Sequence, residues 1–254
     1  MRTNITPQER LIVALDVDSR NEAMDIVKKL GEAVSFYKVG LQLFMETGLS
    51  VVKELINANK KVFLDLKIDD TPRTVREAVR NVAIDGVQFF TLQGNGDTAR
   101  AATNGRAGKA FPKFLQVTYL SSWDVNDLRD HLHITDTLES IKLDEQVVSR
   151  ARRILEAGCD GVIASGTSVR GLRNAFPEIL IVTPGIRPPG VTADDHKRSL
   201  TPAQAISFGA DYLVVGRPIR NSNDPKGTAH RVQDEIEHAL ERAVADTPRM
   251  TANL

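Results

Sequence analysis

The sequence predicts an α/β fold, a closed (β/α)8 TIM barrel built as a single domain over residues 1–254, and three observations carry that prediction. Eight short runs rich in β-branched and aromatic residues recur along the chain. Longer amphipathic stretches separate them. The length of 254 residues also matches the roughly 250 that such a barrel takes. No Pro/Gly/Ser-rich linker or low-complexity tract divides the chain.

The strand-like runs are Leu11–Val17, Val34–Val39, Val62–Leu66, Val87–Leu92, Phe114–Leu120, Gly161–Ala164, Ile179–Thr183 and Tyr212–Val215. Most are continuously apolar rather than alternating, as parallel strands covered on both faces require. Between them, Arg20–Leu30, Gln42–Asn57, Arg73–Ile84, Leu143–Glu156 and Pro202–Phe208 carry apolar residues near helical spacing, with Val51, Leu55 and Ala58 as an example. Ser19 and Thr201 stand where N-caps belong, and Gly31, Gly158 and Gly209 follow helices as stops. Two segments break the alternation. Ser121–Ser140 is a polar insertion with a short helix near Val125–Leu132, and residues 185–200 carry two prolines, two glycines, five charged residues and His196, the composition of a mobile lid. A frayed tail is expected from about Asp246.

Charge and cysteine content narrow the function. The 33 Lys+Arg balance 33 Asp+Glu, so no net field draws nucleic acid or an anionic membrane. Cys159 has no second cysteine to pair with and precedes an apolar run, which suits a buried structural thiol. No clustered Cys/His spacing suits a metal. Met1–Arg10 lacks the apolar segment of a secretory signal, and nowhere do 18 uncharged apolar residues run together, so a cytoplasmic protein is expected.

In such a barrel the site lies at the C-terminal ends of the strands. Those ends carry Asp16, Lys38, Asp65 with Lys67, Gln93, Ser121, Ser165, Pro184 and Arg217, nearly all polar. The densest cluster is Phe63-Leu64-Asp65-Leu66-Lys67-Ile68-Asp69-Asp70-Thr71-Pro72. Asp65 and Lys67 are two apart on an extended chain and leave it on the same face. Their opposite charges favour each other's ionised forms, making Asp65 a fixed negative charge and Lys67 a loaded proton donor. Lys38, from the neighbouring run, can extend the pair to plus, minus, plus, and Asp70 supplies another negative charge. Such an array would repel a substrate anion placed against Asp65 and favour its loss as neutral carbon dioxide, with Lys67 protonating the carbon left behind. The same residues would also serve as a surface ion pair at a strand end, with Lys38 snorkelling to solvent. In Val215-Gly216-Arg217, Gly216 permits close backbone approach and Arg217 offers a planar fork, which together with Thr183-Pro184-Gly185-Ile186-Arg187 points to a phosphate site.

The ordered set Ala14-Leu15-Asp16, Lys38-Val39-Gly40, Leu64-Asp65-Leu66-Lys67 followed by Asp70, Thr183-Pro184-Gly185-Ile186-Arg187 and Val215-Gly216-Arg217-Pro218-Ile219 resembles the orotidine 5′-monophosphate decarboxylase family. The resemblance runs from about Leu11 to Ile219. It implies cofactor-free decarboxylation of orotidine 5′-monophosphate to uridine 5′-monophosphate (UMP), the last step of de novo UMP synthesis. By position, Asp65 would face the substrate carboxylate, Lys67 would protonate C6 of the pyrimidine, and Lys38 would brace the array and the ribose. Asp16 would hold ribose hydroxyls, Ser121 would meet the pyrimidine, and Pro184, Gly216 and Arg217 would serve the phosphate end. A homodimer is implied, with Asp70 and Thr74 reaching into the partner's site.

Some positions depart from the family's pattern. Ile68-Asp69-Asp70-Thr71-Pro72-Arg73-Thr74 stands where Phe-His-Asp-Ile-Pro-Asn-Thr is common, Gln93 stands where a histidine is frequent, and His196 takes the place of a lid glutamine that helps hold phosphate and base. Two alternatives remain. One is a magnesium-dependent sugar-phosphate decarboxylase or aldolase of the same barrel superfamily; the other is a non-catalytic nucleotide-binding paralogue.

Overall fold

A computed structural model describes residues 4–133, 142–190 and 198–245. Among them the strands β1 (Leu11–Ala14), β2 (Phe36–Gly40), β3 (Lys61–Ile68), β4 (Val87–Leu92), β5 (Lys113–Val117), β6 (Gly161–Ile163), β7 (Leu180–Thr183) and β8 (Tyr212–Val215) close in chain order into a parallel barrel. The (β/α)8 expectation holds, and β8 pairs back onto β1 through Leu11, Ile12 and Val13. Helices Arg20–Leu30, Leu143–Glu156 and Val125–Leu132 take the predicted bounds. Ser19 caps the first, and Thr201 forms a reciprocal capping box with Gln204.

One helical stretch differs from expectation. Gln42–Asn57 was expected as a continuous helix, but the chain forms Leu41–Thr47 and Ser50–Asn57, broken where Gly48 turns to φ +54°. Apolar spacing alone does not register such a break, because both pieces bury residues in the same core: Leu43 from one, Val51 and Leu55 from the other. The central part of the expected lid, with His196, and the tail from 246 lie outside the described residues.

The alternation of strand side chains splits the core in two. Outward residues such as Val13, Tyr37, Leu64, Phe90 and Val215 pack against the helices. Inward residues fill the barrel in layers: Phe36, Phe63, Phe89 and Tyr212 make an aromatic floor, with Phe89 centred 5.2 Å from Phe36, 5.8 Å from Phe63 and 5.0 Å from Tyr212. Above the floor come Ala14, Val117, Ile163, Val182 and Val214.

Charges at the N-terminal ends of the strands are tied to the framework. Asp160 accepts from Arg106 at 2.8 Å, Lys113 at 3.1 Å and the Phe114 N–H at 2.9 Å. The fully buried Asp211 accepts from Arg173 at 2.8 Å and the Ile181 N–H at 2.9 Å. Cys159 is buried beside Asp160, and burial, with that acid's charge, pushes its thiol up to about 12. That end of the barrel is architecture. Among the described residues no helix is long and apolar enough to cross a membrane.

Candidate active site

The opposite end opens into a cavity of about 480 Å³. Its lower wall is the inward row Ala14, Phe63, Val117, Ile163 and Val214. One step further along the same inward faces, β2 contributes Lys38 and β3 contributes Asp65, while Asp16 follows β1; Lys67 enters the cavity from the irregular end of β3, where its φ of +50° departs from the extended chain expected there. Alternation therefore delivers charge directly above apolar layers.

The four groups form one line of alternating sign. Lys38 Nζ lies 2.7 Å from Asp16 Oδ1 and 3.3 Å from Asp65 Oδ2, and Lys67 Nζ lies 2.8 Å from Asp65 Oδ1. The Asp65 and Lys38 side chains are only 13% and 10% exposed, so solvent does little to screen the pair. Burial works against the charge of Asp65, but the fields of Lys38 and Lys67, with hydrogen bonds from Lys67 and Thr91, outweigh it and hold the carboxyl below its ordinary value. Burial likewise opposes the charge of Lys38, and Asp65 and Asp16 overcome it, raising its pKa. Asp65 and Lys38 are thus kept ionised by their neighbours.

Two residues that sequence reasoning did not single out make this geometry possible. Thr91 is fully buried; its hydroxyl donates to Asp65 Oδ1 at 3.0 Å and accepts the backbone N–H of Lys67 at 2.9 Å. Gly40 lies under the Asp16–Lys38 pair, where an added Cβ would stand 2.5 Å from Asp16 Oδ1 and 2.8 Å from Lys38 Nζ. A side chain at the glycine of Lys38-Val39-Gly40 would thus push the charged tips of Asp16 and Lys38 out of this arrangement.

The remaining expected residues divide into two groups. Ser121, Pro184, Gly216 and Arg217 line the cavity. Arg187 and Arg220 join them there, making a second cationic region at the ends of β7 and β8. Arg220 is one helical turn beyond Arg217 in Arg217–Arg220, a spacing the sequence displays. Asp70 and Thr74 do not line the cavity; both are exposed, with Asp70 accepting the Thr71 N–H at 2.6 Å and Thr74 paired with Thr71 at 3.0 Å between hydroxyls. The fourth charge of the array within this chain is therefore Asp16. Asp69 turns away and accepts from Thr98 at 3.2 Å. Gln93 does not line the cavity, and its backbone carbonyl accepts from Arg150 at 2.8 Å. His196 lies outside the described residues.

Comparison with known proteins places this geometry. A family model described as orotidine 5′-phosphate decarboxylase / HUMPS family matches residues 9–232. The chain belongs to that family. Asp16, Lys38, Asp65, Lys67 and Arg217 all fall inside the matched span. Among its members, the orotidine 5′-phosphate decarboxylase of Methylococcus capsulatus is 46% identical over 231 residues, covering 90% of this chain and 92% of that protein. The enzyme of the same name from Rhodopseudomonas palustris is 43% identical over 233 residues, covering 91% and 96%. Of solved structures, the orotidine 5′-phosphate decarboxylase of Lactobacillus acidophilus superposes with a TM-score of 0.76 at 36% identity, covering 89% of this chain and 98% of that one.

Proposed function

We propose that this chain decarboxylates orotidine 5′-monophosphate to UMP and carbon dioxide without a cofactor, as the final step of cytoplasmic de novo UMP synthesis. The observation that carries the reading is the Asp65 carboxylate held between two ammonium groups, Lys38 at 3.3 Å and Lys67 at 2.8 Å, on the wall of a cavity with arginines at its other end. Arg217, with Gly216 and Pro184, anchors the phosphate, which directs the pyrimidine toward the array. Asp16 serves the ribose hydroxyls and Ser121 the base. His196 is assigned to the phosphate and base by the family resemblance.

With the substrate carboxylate against Asp65, two like charges share a low-dielectric site. The charges of Lys38 and Lys67 oppose relief of the repulsion by protonation of Asp65. Cleavage of the carbon–carbon bond relieves it: the carboxylate leaves as neutral carbon dioxide and its electron pair remains on C6. The Lys67 ammonium stabilises that developing negative charge and delivers its proton to C6, and the neutral amine is recharged from solvent. Lys38 keeps Asp65 in place throughout.

The magnesium-dependent reading fits less well, since the space between the Asp16 and Asp65 carboxylates, where a divalent ion would be shared, holds the Lys38 ammonium. Exposure of Asp70 and Thr74 beside the cavity's own strand β3 supports a homodimer in which they complete the partner's site. The test is the loss of orotidine 5′-monophosphate absorbance by the purified chain, with and without a chelator. Turnover unaffected by the chelator is expected; turnover of a sugar phosphate alone, and only with magnesium, overturns the reading.

A further inference from the structure

Beyond β5, Tyr119, Leu120, Ser121 and Ser122 face the cavity, yet the strand ends at Val117. Strand pairing therefore does not position them. Arg198 bonds two of them: its Nη2 donates to the Leu120 carbonyl at 2.8 Å and to the Tyr119 carbonyl at 3.3 Å. The Leu120 carbonyl also accepts the Trp123 N–H at 3.0 Å.

Arg198 is joined to the opposite wall as well. Two residues on, Leu200 bridges Ile186, with Arg187 N–H donating to the Leu200 carbonyl at 2.9 Å and Leu200 N–H to the Gly185 carbonyl at 3.3 Å. Gly185 and Arg187 line the cavity near the phosphate end. The Arg198 stem lies over Gly166, at φ +63°, where an added Cβ would stand 3.1 Å from Arg198 Cβ. Arg198 Nε and Nη1 are buried without hydrogen-bond partners among the described residues. A guanidinium kept inside with two donors unpaired is a poor choice for stability alone.

We propose that Arg198 is a positioning residue: it fixes the Leu120–Ser121 turn against the pyrimidine and couples that turn to the Gly185–Arg187 wall. This rests on the decarboxylase reading. Because Trp123 is the only tryptophan and shares the Leu120 carbonyl, its fluorescence reports on the same turn.

The experiment compares wild type with Arg198→Met and Arg198→Lys, measuring kcat, KM, UMP affinity and acrylamide quenching of Trp123. Displacement of the turn should lower kcat of the Met variant about 10- to 100-fold, since small misplacements remote from the reacting atoms carry such losses. UMP affinity should change less than about threefold, and Trp123 should become easier to quench. Arg198→Lys keeps the charge but not the fork, and should recover part of kcat and of the quenching protection. Wild-type kcat in the Met variant, or a loss of kcat with Trp123 quenching unchanged, overturns the proposal. If circular dichroism finds the Met variant unfolded, the Lys variant carries the test, and a loss of kcat there with Trp123 quenching unchanged has the same force. An inactive wild type sinks the decarboxylase reading instead.

Discussion

The Thr91 hydroxyl holds the backbone N–H of Lys67 at 2.9 Å, and it does so at a residue whose φ is +50°. A lysine in the left-handed region is uncommon and needs surrounding structure to keep it there. The β3–β4 register shifts between Leu64 and Ile68, so Lys67 occupies an irregularity that re-aims its side chain. Thr91→Val keeps the shape and removes both hydroxyl contacts. Leaving the Lys67 N–H unpaired should cost about 1–3 kcal/mol, and the loosened ammonium should lower kcat about tenfold. Thermal melting and steady-state kinetics check both; an unchanged kcat would detach Thr91 from the array.

Why Thr91 escaped sequence reasoning is instructive. Apolar runs fixed the eight strands because burial on both faces leaves a continuous signature, and Asp65, Lys67 and Lys38 stood out because charge at the end of such a run is conspicuous. A threonine inside Val87–Leu92 carries no such contrast, since β-branched residues belong in strands. Its role depends on the pairing of β4 with β3, which periodicity does not encode. Arg198 was hidden similarly, among the charges of an expected lid. Asp16 was legible as a strand-end acid, but its contact with Lys38 depends on barrel closure and on the missing side chain of Gly40.

Lys67→Ala should lower kcat by about 10²- to 10⁴-fold, the range a positioned proton donor contributes. The Arg217 end of the cavity is untouched by that change, so UMP affinity should stay within about tenfold of wild type. Single-turnover kinetics and a UMP titration measure the two separately. Near-normal turnover would remove Lys67 from the chemistry.

The array also predicts a stability profile. The depressed Asp65 value means its contribution is present above the ordinary carboxylate value of 3.8 and is lost as pH falls through the lower folded value. The raised Lys38 value means its contribution is complete below 10.5 and is lost as pH rises through the higher folded value. Urea unfolding of wild type and Asp65→Asn should therefore differ by a constant amount from about pH 5 to 9, with the gap closing below about pH 4. A gap that varies across the neutral range would mean that other groups govern it.

Asp69 has a structural part to play. Its Oδ1 accepts from Thr98, and a Cβ at Gly94 would collide with both Thr98 Oγ1 and Asp69 Oδ1. Gly94→Ala should consequently prise the β3 loop from the helix Gly96–Gly105, at the 1–3 kcal/mol that overpacking typically costs, or about 2–12 °C in Tm. Asp69→Asn, which can still accept from Thr98, should lose much less. Equal melting temperatures for Gly94→Ala and wild type would show the contact to be slack.

The homodimer reading yields the sharpest test of Asp70. Lys67 faces its own cavity, whereas Asp70 is exposed and bonded only locally, to the Thr71 N–H at 2.6 Å among the hydrogen bonds described. If Asp70 completes the partner's site, Lys67→Ala and Asp70→Ala homodimers are each inactive for different reasons. A hybrid of the two then contains one wholly damaged site and one wholly intact site, the latter joining Lys67 of the Asp70→Ala chain to Asp70 of the Lys67→Ala chain. Random exchange makes half the dimers hybrid, so mixing the inactive proteins should restore about a quarter of wild-type activity. The recovery should develop with subunit exchange and vanish on dilution below the dimer dissociation constant. If Asp70 acted within its own chain, each hybrid would carry two damaged sites, and mixing would restore nothing.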